Sequence, residues 1–317
     1  MKLFLQGLGR VVPTVTEFRS MTYNIYIGGG DATRRAVIMK HVARANPDVL
    51  TFTETGNNNI IRGLLEPLGF FYFYGDSSLY FASKYRITHS QHLTTVQGLR
   101  TPVYCEVVIN RKTIGIVSIH LNSICSGLCH YEDYINIAPK EPSAHKRLIE
   151  MYQIMDALNV RKLANPKIEG FIIQGDYNAI DNEKNVVEYL DNTGVEEYTL
   201  PVGLSYPLAN AQFPTKPQEF YSGTMNLDTS PAFDGSTYTW WGTPESINPI
   251  LNNFTHRLDY ITYSDNLVLV GAEILNSISD AANPSSGLTK YGDTLNFDDG
   301  YIASDHIPVI ADFLINP

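Results

Sequence analysis

The sequence predicts a single α/β domain, and three observations carry that expectation. Short apolar runs such as DVLTFTE (48–54), TIGIVSIHL (113–121) and GFIIQGDYN (170–178) are rich in β-branched and aromatic residues and have strand length. Two stretches, 32–45 and 143–165, carry apolar residues three and four apart and sit between such runs as helices would. No repeat of fixed period and no low-complexity linker divides the 317 residues. The expected organisation is an N-terminal extension over 1–17 followed by one domain over 18–317.

The elements follow in order. FRSMTYNIYI (18–27) alternates and reads as the first strand. The glycines of GGGD then turn the chain, and Asp31 caps a helix over ATRRAVIMKHVARA, which Asn46-Pro47 ends. DVLTFTE is the next strand, completing a strand–helix–strand unit with short joints. FFYFYG (70–75) and LYFAS (79–83) flank a Gly-Asp-Ser-Ser turn, and VYCEVVIN (103–110) and TIGIVSIHL form a hairpin about Arg111-Lys112. Residues 122–142 have no periodicity.

From Ser143 a helix is expected, with Ala144, Leu148, Met151, Met155 and Leu158 on one face, up to Asn165-Pro166. GFIIQGDYN follows as a strand. Residues 192–255 are rich in Pro, Gly, Asn and Tyr and form a long excursion. LDYITYS (258–264), LVLVGAEIL (267–275) and IPVIADFLI (307–315) close the domain as strands.

Bulk properties narrow the function. The formal net charge is −10 and no run of Lys or Arg occurs, so the broad basic footprint of a tight nucleic-acid binder is missing. A local cationic or metal-filled cleft could still take a polyanion. There is no run of eighteen apolar residues, so no membrane-spanning helix is expected. In the opening MKLFLQGLGRVV, Gln6 and Gly7 interrupt the apolar patch too early for a signal-peptide core, and a secreted or a cytoplasmic location both stay open. The cysteines, Cys105, Cys125 and Cys129, are odd in number and form no disulfide framework. CSGLC could close a small loop or bind a metal, but two free thiols in a loop need fewer assumptions.

The chemistry gathers where the apolar runs begin and end. Asn24 comes late in the first strand, Glu54 ends the second, His120 ends IGIVSIH, and Asp176 and Asn178 follow FIIQ. Asp259 opens DYITYS, and Asp305-His306 opens the last strand. Where strands run antiparallel, the end of one lies beside the start of its neighbour, so these groups can share one edge of the fold. Each has a plainer role when taken singly. Asn24 could be a turn residue, Glu54 a cap, and His120 a hydrogen-bonded half-buried histidine. Asp176 and Asn178 could make an Asx turn, Asp259 a surface pair with Arg257, and Ser304-Asp305-His306 a turn into a strand. Their recurrence at strand tips argues for a common site. Glu54, Asp176, Asp259 and Asp305 in one cleft would repel one another, and a hard cation such as Mg²⁺ relieves that repulsion. An oxygen-rich set with two imidazoles and no thiolate disfavours a closed Zn²⁺ site.

In this order, TYN, TFTE, SIHL, GDYN, RLDYI and SDHIPV resemble the endonuclease/exonuclease/phosphatase superfamily, over about Phe18 to Phe313. The resemblance implies a four-layer α/β sandwich, two mixed β-sheets packed face to face with helices outside, and a catalytic domain over 18–317. It implies a Mg²⁺-dependent phosphodiesterase, with Mn²⁺ as an alternative ion. Glu54 is then the principal metal ligand, with Asn24 and Asp305. Asp176 and Asn178 position water and phosphate, His306 is the general base oriented by Asp259, and His120 steadies the phosphoryl oxygens or helps the leaving group.

Two passages are similar to the sphingomyelinase branch: SIHLNSICSG with the following SAHKRLIEMYQIMDAL, and STYTWWGTPESINPILNNFTHRLDYI. A phospholipid headgroup is therefore favoured over DNA, with peripheral membrane contact and no protein partner evident. Three things depart from that branch. Cys105 sits inside a strand and offers no disulfide partner, no signal peptide is recognisable, and no exposed aromatic hairpin stands out. The aromatic-rich stretch 206–241, with Tyr206, Phe220, Tyr221, Trp240 and Trp241, is the candidate for a membrane rim, although packing claims most aromatics in any fold. A deoxyribonuclease I-like endonuclease and a catalytically silent binding domain are the competing functions. The intact set of polar residues argues against the latter.

Overall fold

The structure, a computed structural model, describes residues 16–95, 100–122, 142–178, 259–264, 266–274, 304, 306 and 308–315. Strands β1 (Thr16–Asn24), β2 (Val49–Thr53), β3 (Tyr72–Gly75), β4 (Leu79–Ser83), β10 (Leu267–Ile274) and β11 (Val309–Ile315) make a six-stranded sheet in the order β10-β11-β1-β2-β4-β3. Strands β5 (Ile87–His92), β6 (Val103–Ile109), β7 (Lys112–His120), β8 (Ile168–Asp176) and β9 (Asp259–Tyr263) make a five-stranded sheet in that order. Helices α1 (Ala32–Ala45), α2 (Asn58–Leu65) and α3 (Pro142–Ala164) complete the described elements, with a 3-10 turn at Glu66–Leu68. The two sheets are mixed and face each other, with helices outside, as the four-layer sandwich requires.

Each sheet is built on one parallel pair. β1 and β2 run parallel, joined through α1, and β7 and β8 run parallel, joined through α3. Their outer neighbours β11, β4, β6 and β9 are all antiparallel to them. α1 starts at Asp31, whose carboxylate accepts the Arg34 N–H at 2.9 Å, and ends at Asn46, which takes the left-handed conformation. Its buried face is Val37, Ile38, His41, Val42 and Ala45, and the His41 ring lies 3.1 Å from the Tyr23 hydroxyl. α3 buries Met151, Ile154, Met155 and Leu158 in one cluster with Val117, Ile119, Phe171 and Ile173 of β7 and β8. At its far end Glu106 of β6, almost wholly buried, accepts from Arg161, from Asn165 at 2.8 Å and from the Tyr104 hydroxyl at 3.1 Å.

The alternate faces of the central strands carry a polar seam between the sheets. Gln174 donates to the Met21 carbonyl at 3.1 Å and to Thr51 Oγ1 at 2.8 Å, and accepts from the Ser20 hydroxyl. Thr51 continues to Ser118 Oγ at 2.7 Å. Two residues further along β8 and β7 stand Asp176 and His120, so this latch lies directly beneath the strand tips.

Several expectations are corrected. The first strand stops at Asn24 rather than running to 27, because Tyr26, Ile27, Gly28, Gly29 and Gly30 all have positive φ, between 43° and 68°, and form a left-handed turn. The hairpin turns on Asn110-Arg111, with φ 48° and 73°, so that Ile109 pairs with Lys112. Two elements had no expectation. α2 is capped by Asn57, which accepts from Asn59 and Ile60, and β5 is an edge strand, ITHSQH, polar at every position after Ile87. The long helix begins one residue earlier and ends one residue earlier than the periodicity suggested. No helix among the described residues is long and apolar enough to cross a membrane. Cys105 is buried in β6, where burial pushes its thiol pKa up. Cys125, Cys129 and the whole of 192–255, with its aromatics, lie outside the described residues.

Candidate active site

The tips of the two parallel pairs meet. β1 ends in Asn24, Glu54 follows β2, β7 ends in His120 and β8 ends in Asp176. Asn24 Nδ2 donates to Glu54 Oε1 at 3.2 Å and to Asp176 Oδ2 at 3.1 Å, and lies 3.4 Å from His306 Nε2. Its Oδ1 accepts from the Tyr26 backbone at 3.0 Å, so the donor end of the amide faces the carboxylates. His120 Nε2 faces the same two carboxylates, 3.4 Å from Asp176 Oδ2 and 3.8 Å from Glu54 Oε1.

GDYN now has a physical reading. Gly175 has φ 148°, and a Cβ there would lie 1.9 Å from the Ile119 carbonyl oxygen of β7, so only glycine lets β8 close on its neighbour at this point. Asp176 Oδ1 accepts the Asn178 N–H at 2.8 Å, the Asx turn of the plainer reading, and that bond leaves Oδ2 aimed into the site. Asn178, at φ 47°, donates its side-chain N–H to the Leu121 carbonyl at 3.0 Å, tying the β8 tip to the β7 tip. Glu54 also has positive φ, 59°, and its backbone N–H donates to Ser78 at 2.8 Å. Left-handed residues without glycine cost on the order of 1 kcal/mol each, and their concentration at these tips fits stored strain at a functional site.

The departing strands complete the group. Asp259 is the register partner of Asp176 across the antiparallel β8–β9 pair. Its Oδ2 lies 2.6 Å from His306 Nδ1, and His306 Nε2 lies 3.7 Å from Asp176 Oδ2. Ser304 staples this histidine to β1: its hydroxyl donates to the Asn24 carbonyl at 2.6 Å and accepts the His306 N–H at 3.2 Å. Sequence reading treated Ser304 as a turn residue, and only the proximity of β1 gives it a partner. Of the expected residues, the structure brings together Asn24, Glu54, His120, Asp176, Asn178, Asp259 and His306. Asp305 lies outside the described residues.

Burial governs the electrostatics. It pushes the Asp176 carboxyl up to about 7, with Asp259 adding to the rise and His306, the Asn178 N–H and Asn24 opposing it. His120 is held well below the usual histidine range by burial first, then by Arg100 and His306. It is therefore neutral near pH 7, and its approach to the carboxylates is a contact of an imidazole rather than an ion pair. Its Nδ1 is buried without a hydrogen-bond partner among the described residues.

The donor set suits a hard divalent cation. Asp176, Asp259 and His306 each offer a ligand atom within 4.8 Å of the others. Asp259 Oδ2 is already engaged by His306 Nδ1, however, so the better oxygen pair is Glu54 Oε1 with Asp176 Oδ2, which converge on the same amide and the same neutral imidazole. Only uncharged groups stand between those two carboxylates among the described residues, and a cation would offset their repulsion.

The family model described as endonuclease/exonuclease/phosphatase matches residues 21–306. The chain belongs to the endonuclease/exonuclease/phosphatase family. Members of this family are hydrolases acting on phosphoester bonds. No curated protein sequence matches the chain. Among solved structures, TDP2 from Caenorhabditis elegans is similar at a TM-score of 0.55 and 16% identity, covering 94% of this chain and 74% of that one. The catalytic domain of human nocturnin, with bound sulfate, gives 0.51 and 16%, covering 94% of each chain. Beta toxin from Staphylococcus aureus gives 0.50 and 18%, covering 93% and 99%. At these identities the likeness is one of fold, and the endonuclease/exonuclease/phosphatase sandwich is the fold they share.

Proposed function

We propose that the protein is a Mg²⁺-dependent phosphodiesterase of a choline-type phospholipid, chiefly sphingomyelin. The observation that carries the catalytic part is the line Asp259–His306–Asp176. A carboxylate 2.6 Å from Nδ1 holds the proton there and leaves the Nε2 lone pair facing the cleft. His306 Nε2 takes a proton from a water that Asp176 orients, the water oxygen bonds to phosphorus as the phosphorus–oxygen bond to the lipid breaks, and the departing alkoxide takes a proton from solvent to leave as the alcohol. His120, neutral with Nε2–H toward the cleft, donates to a non-bridging phosphoryl oxygen, and Asn178 holds the β8 tip that carries Asp176. Glu54 and Asp176 would hold Mg²⁺ together with Asp305, and Asn24 would join them only with its amide turned over, since its Oδ1 accepts the Tyr26 N–H; the ion, or Mn²⁺ in its place, would supply positive charge against the phosphoryl oxygens.

The lipid reading is supported by the two sphingomyelinase-like passages and by the lack of any basic run in an acidic chain. A polynucleotide phosphodiesterase is the second reading. TDP2 from Danio rerio, similar at a TM-score of 0.53 and 13% identity, was solved complexed with a single-strand DNA product. Two assays at matched Mg²⁺ separate them: phosphocholine release from sphingomyelin vesicles, and nicking of supercoiled plasmid. Release without nicking is expected. Efficient nicking with no phosphocholine release rejects the lipid reading. Inertness toward both, and toward a generic phosphodiester with Mg²⁺, leaves a binding domain.

A further inference from the structure

Beside the site lies a piece of surface that the chemistry above does not use. The left-handed turn Tyr26–Gly30 is fixed to it by two bonds: the Tyr26 N–H donates to Asn24 Oδ1 at 3.0 Å, and the Ile27 N–H donates to Glu54 Oε2 at 3.4 Å. Gly28 lets the turn lie against the chain after β2, since a Cβ there would sit 2.8 Å from the Thr55 carbonyl oxygen. The Ile27 side chain is 66% exposed. A β-branched residue at φ 49° is a backbone outlier, and an exposed isoleucine recovers none of that cost by packing.

The second observation is Arg34, in the first turn of α1. Its guanidinium rests over the Tyr26 ring, 5.5 Å from the centroid. Its Nε and Nη2 are buried and have no hydrogen-bond acceptor among the described residues. The nearby Asp31 carboxylate accepts the Arg34 backbone N–H rather than the guanidinium. Arg35 beside it spends Nη1 on the Gly30 carbonyl. A buried guanidinium donor without an acceptor is costly, so swinging Arg34 out to an anion breaks no hydrogen bond and gains a charge-assisted one. In a chain with a net charge of −10, two adjacent arginines next to an exposed isoleucine form a local cationic and apolar edge. That pairing suits a bilayer interface better than a polynucleotide, which offers no apolar layer to the isoleucine.

We propose that this turn and the start of α1 dock the protein on an anionic phospholipid bilayer, with Ile27 entering the apolar layer and Arg34 taking a lipid phosphate beside the scissile headgroup. The inference rests on the lipid reading given above and adds the surface that delivers the site to the membrane.

Vesicle flotation tests it, using the full chain with Mg²⁺ and His306→Ala as the background so that lipid is not consumed. Vesicles are phosphatidylcholine alone, or an equimolar mixture with phosphatidylglycerol. The anionic vesicles should bind the protein at least about fivefold better. Arg34→Gln should remove about fivefold on anionic vesicles and less on phosphatidylcholine, whose phosphate is offset by its own ammonium. Ile27→Asn, which suits the left-handed backbone and should fold at least as well, should weaken binding to both by about tenfold. No preference for anionic vesicles, or no effect of Arg34→Gln, overturns the proposal. So does an Arg34→Gln variant that loses retardation of a single-stranded oligonucleotide while keeping vesicle binding. Docking without phosphocholine release by the His306 enzyme rejects the substrate reading and keeps the edge. Release from detergent-dispersed sphingomyelin without docking rejects the edge and keeps the enzyme.

Discussion

Asp176 and Asp259 face each other across the β8–β9 pair, and His306 reaches both. Two carboxylates on adjacent strands would ordinarily be an electrostatic liability. Here one is bonded to the imidazole at Nδ1 and the other faces its Nε2. His306→Ala should lower kcat by roughly 10²–10⁴ with little change in KM, because proton transfer is lost while substrate contacts persist. Asp259→Asn should cost less and should shift the pH profile, because the charge that favours the protonated ring is gone. A kcat for His306→Ala above about a tenth of the native value would remove this residue from the base role.

The convergence of Glu54 and Asp176 on Asn24 and His120 predicts an opposite response of stability in the two metal states. Without divalent ions, Glu54→Gln should unfold at the same temperature as the native protein or slightly higher, since it relieves like-charge repulsion. With Mg²⁺ the native protein should gain stability by mass action and the variant should gain much less. Calorimetry in chelator and in Mg²⁺ reads both arms, and equal Mg²⁺ stabilisation of the two proteins would place the metal elsewhere.

Gln174 is the latch beneath the site. Gln174→Leu leaves Ser20 Oγ, Thr51 Oγ1 and the Met21 carbonyl short of a partner, at about 1–3 kcal/mol for each buried group left unsatisfied. Gln174→Glu keeps the acceptor for Ser20 but loses both donors and adds charge near Asp176, so it should be the worse of the two. Urea denaturation of both variants tests this order.

The Glu106–Arg161 pair gives a pH signature remote from the site. Burial pushes the Glu106 carboxyl up, but the bonds from Arg161 and Asn165 outweigh burial, and the net pKa is lowered. A carboxylate with a lowered folded pKa contributes stability above its unfolded value, about 4.3, and that contribution fades as pH falls through the folded value. Glu106→Gln should therefore destabilise the protein at pH 7, and the difference from native should shrink below about pH 4. A difference that stays constant down to pH 3 would assign the effect to packing.

The strand tips were legible because chemistry and punctuation coincide there. Glu54, His120, Asp176 and Asp259 each stand where an apolar run changes to polar residues, and the structure gathers them on one edge. What stayed hidden needed the second sheet. Gln174, Thr51, Ser118 and Ser20 are isolated polar residues inside apolar strands, and they become a network only when the two sheets face each other. Ser304 needed β1 in the same way. α2 was missed because Asn57-Asn58-Asn59 reads as a turn although Asn57 is its cap, and β5 because ITHSQH has no apolar alternation. The turn at Tyr26–Gly30 was visible as glycines, but its hand and the exposure of Ile27 were not.

The order β11-β1-β2 places the last described strand against the first. β1 forms early in synthesis, yet one of its edges stays open until Val309–Ile315 leaves the ribosome, and His306 arrives only just before that strand. Asn24, Glu54, His120 and Asp176 all emerge well ahead of it. A nascent or truncated chain therefore carries most of the site but exposes an unpaired central strand, a template for association with other chains. Completion of the candidate site and closure of the aggregation-prone edge are one event, because His306 and β11 arrive together.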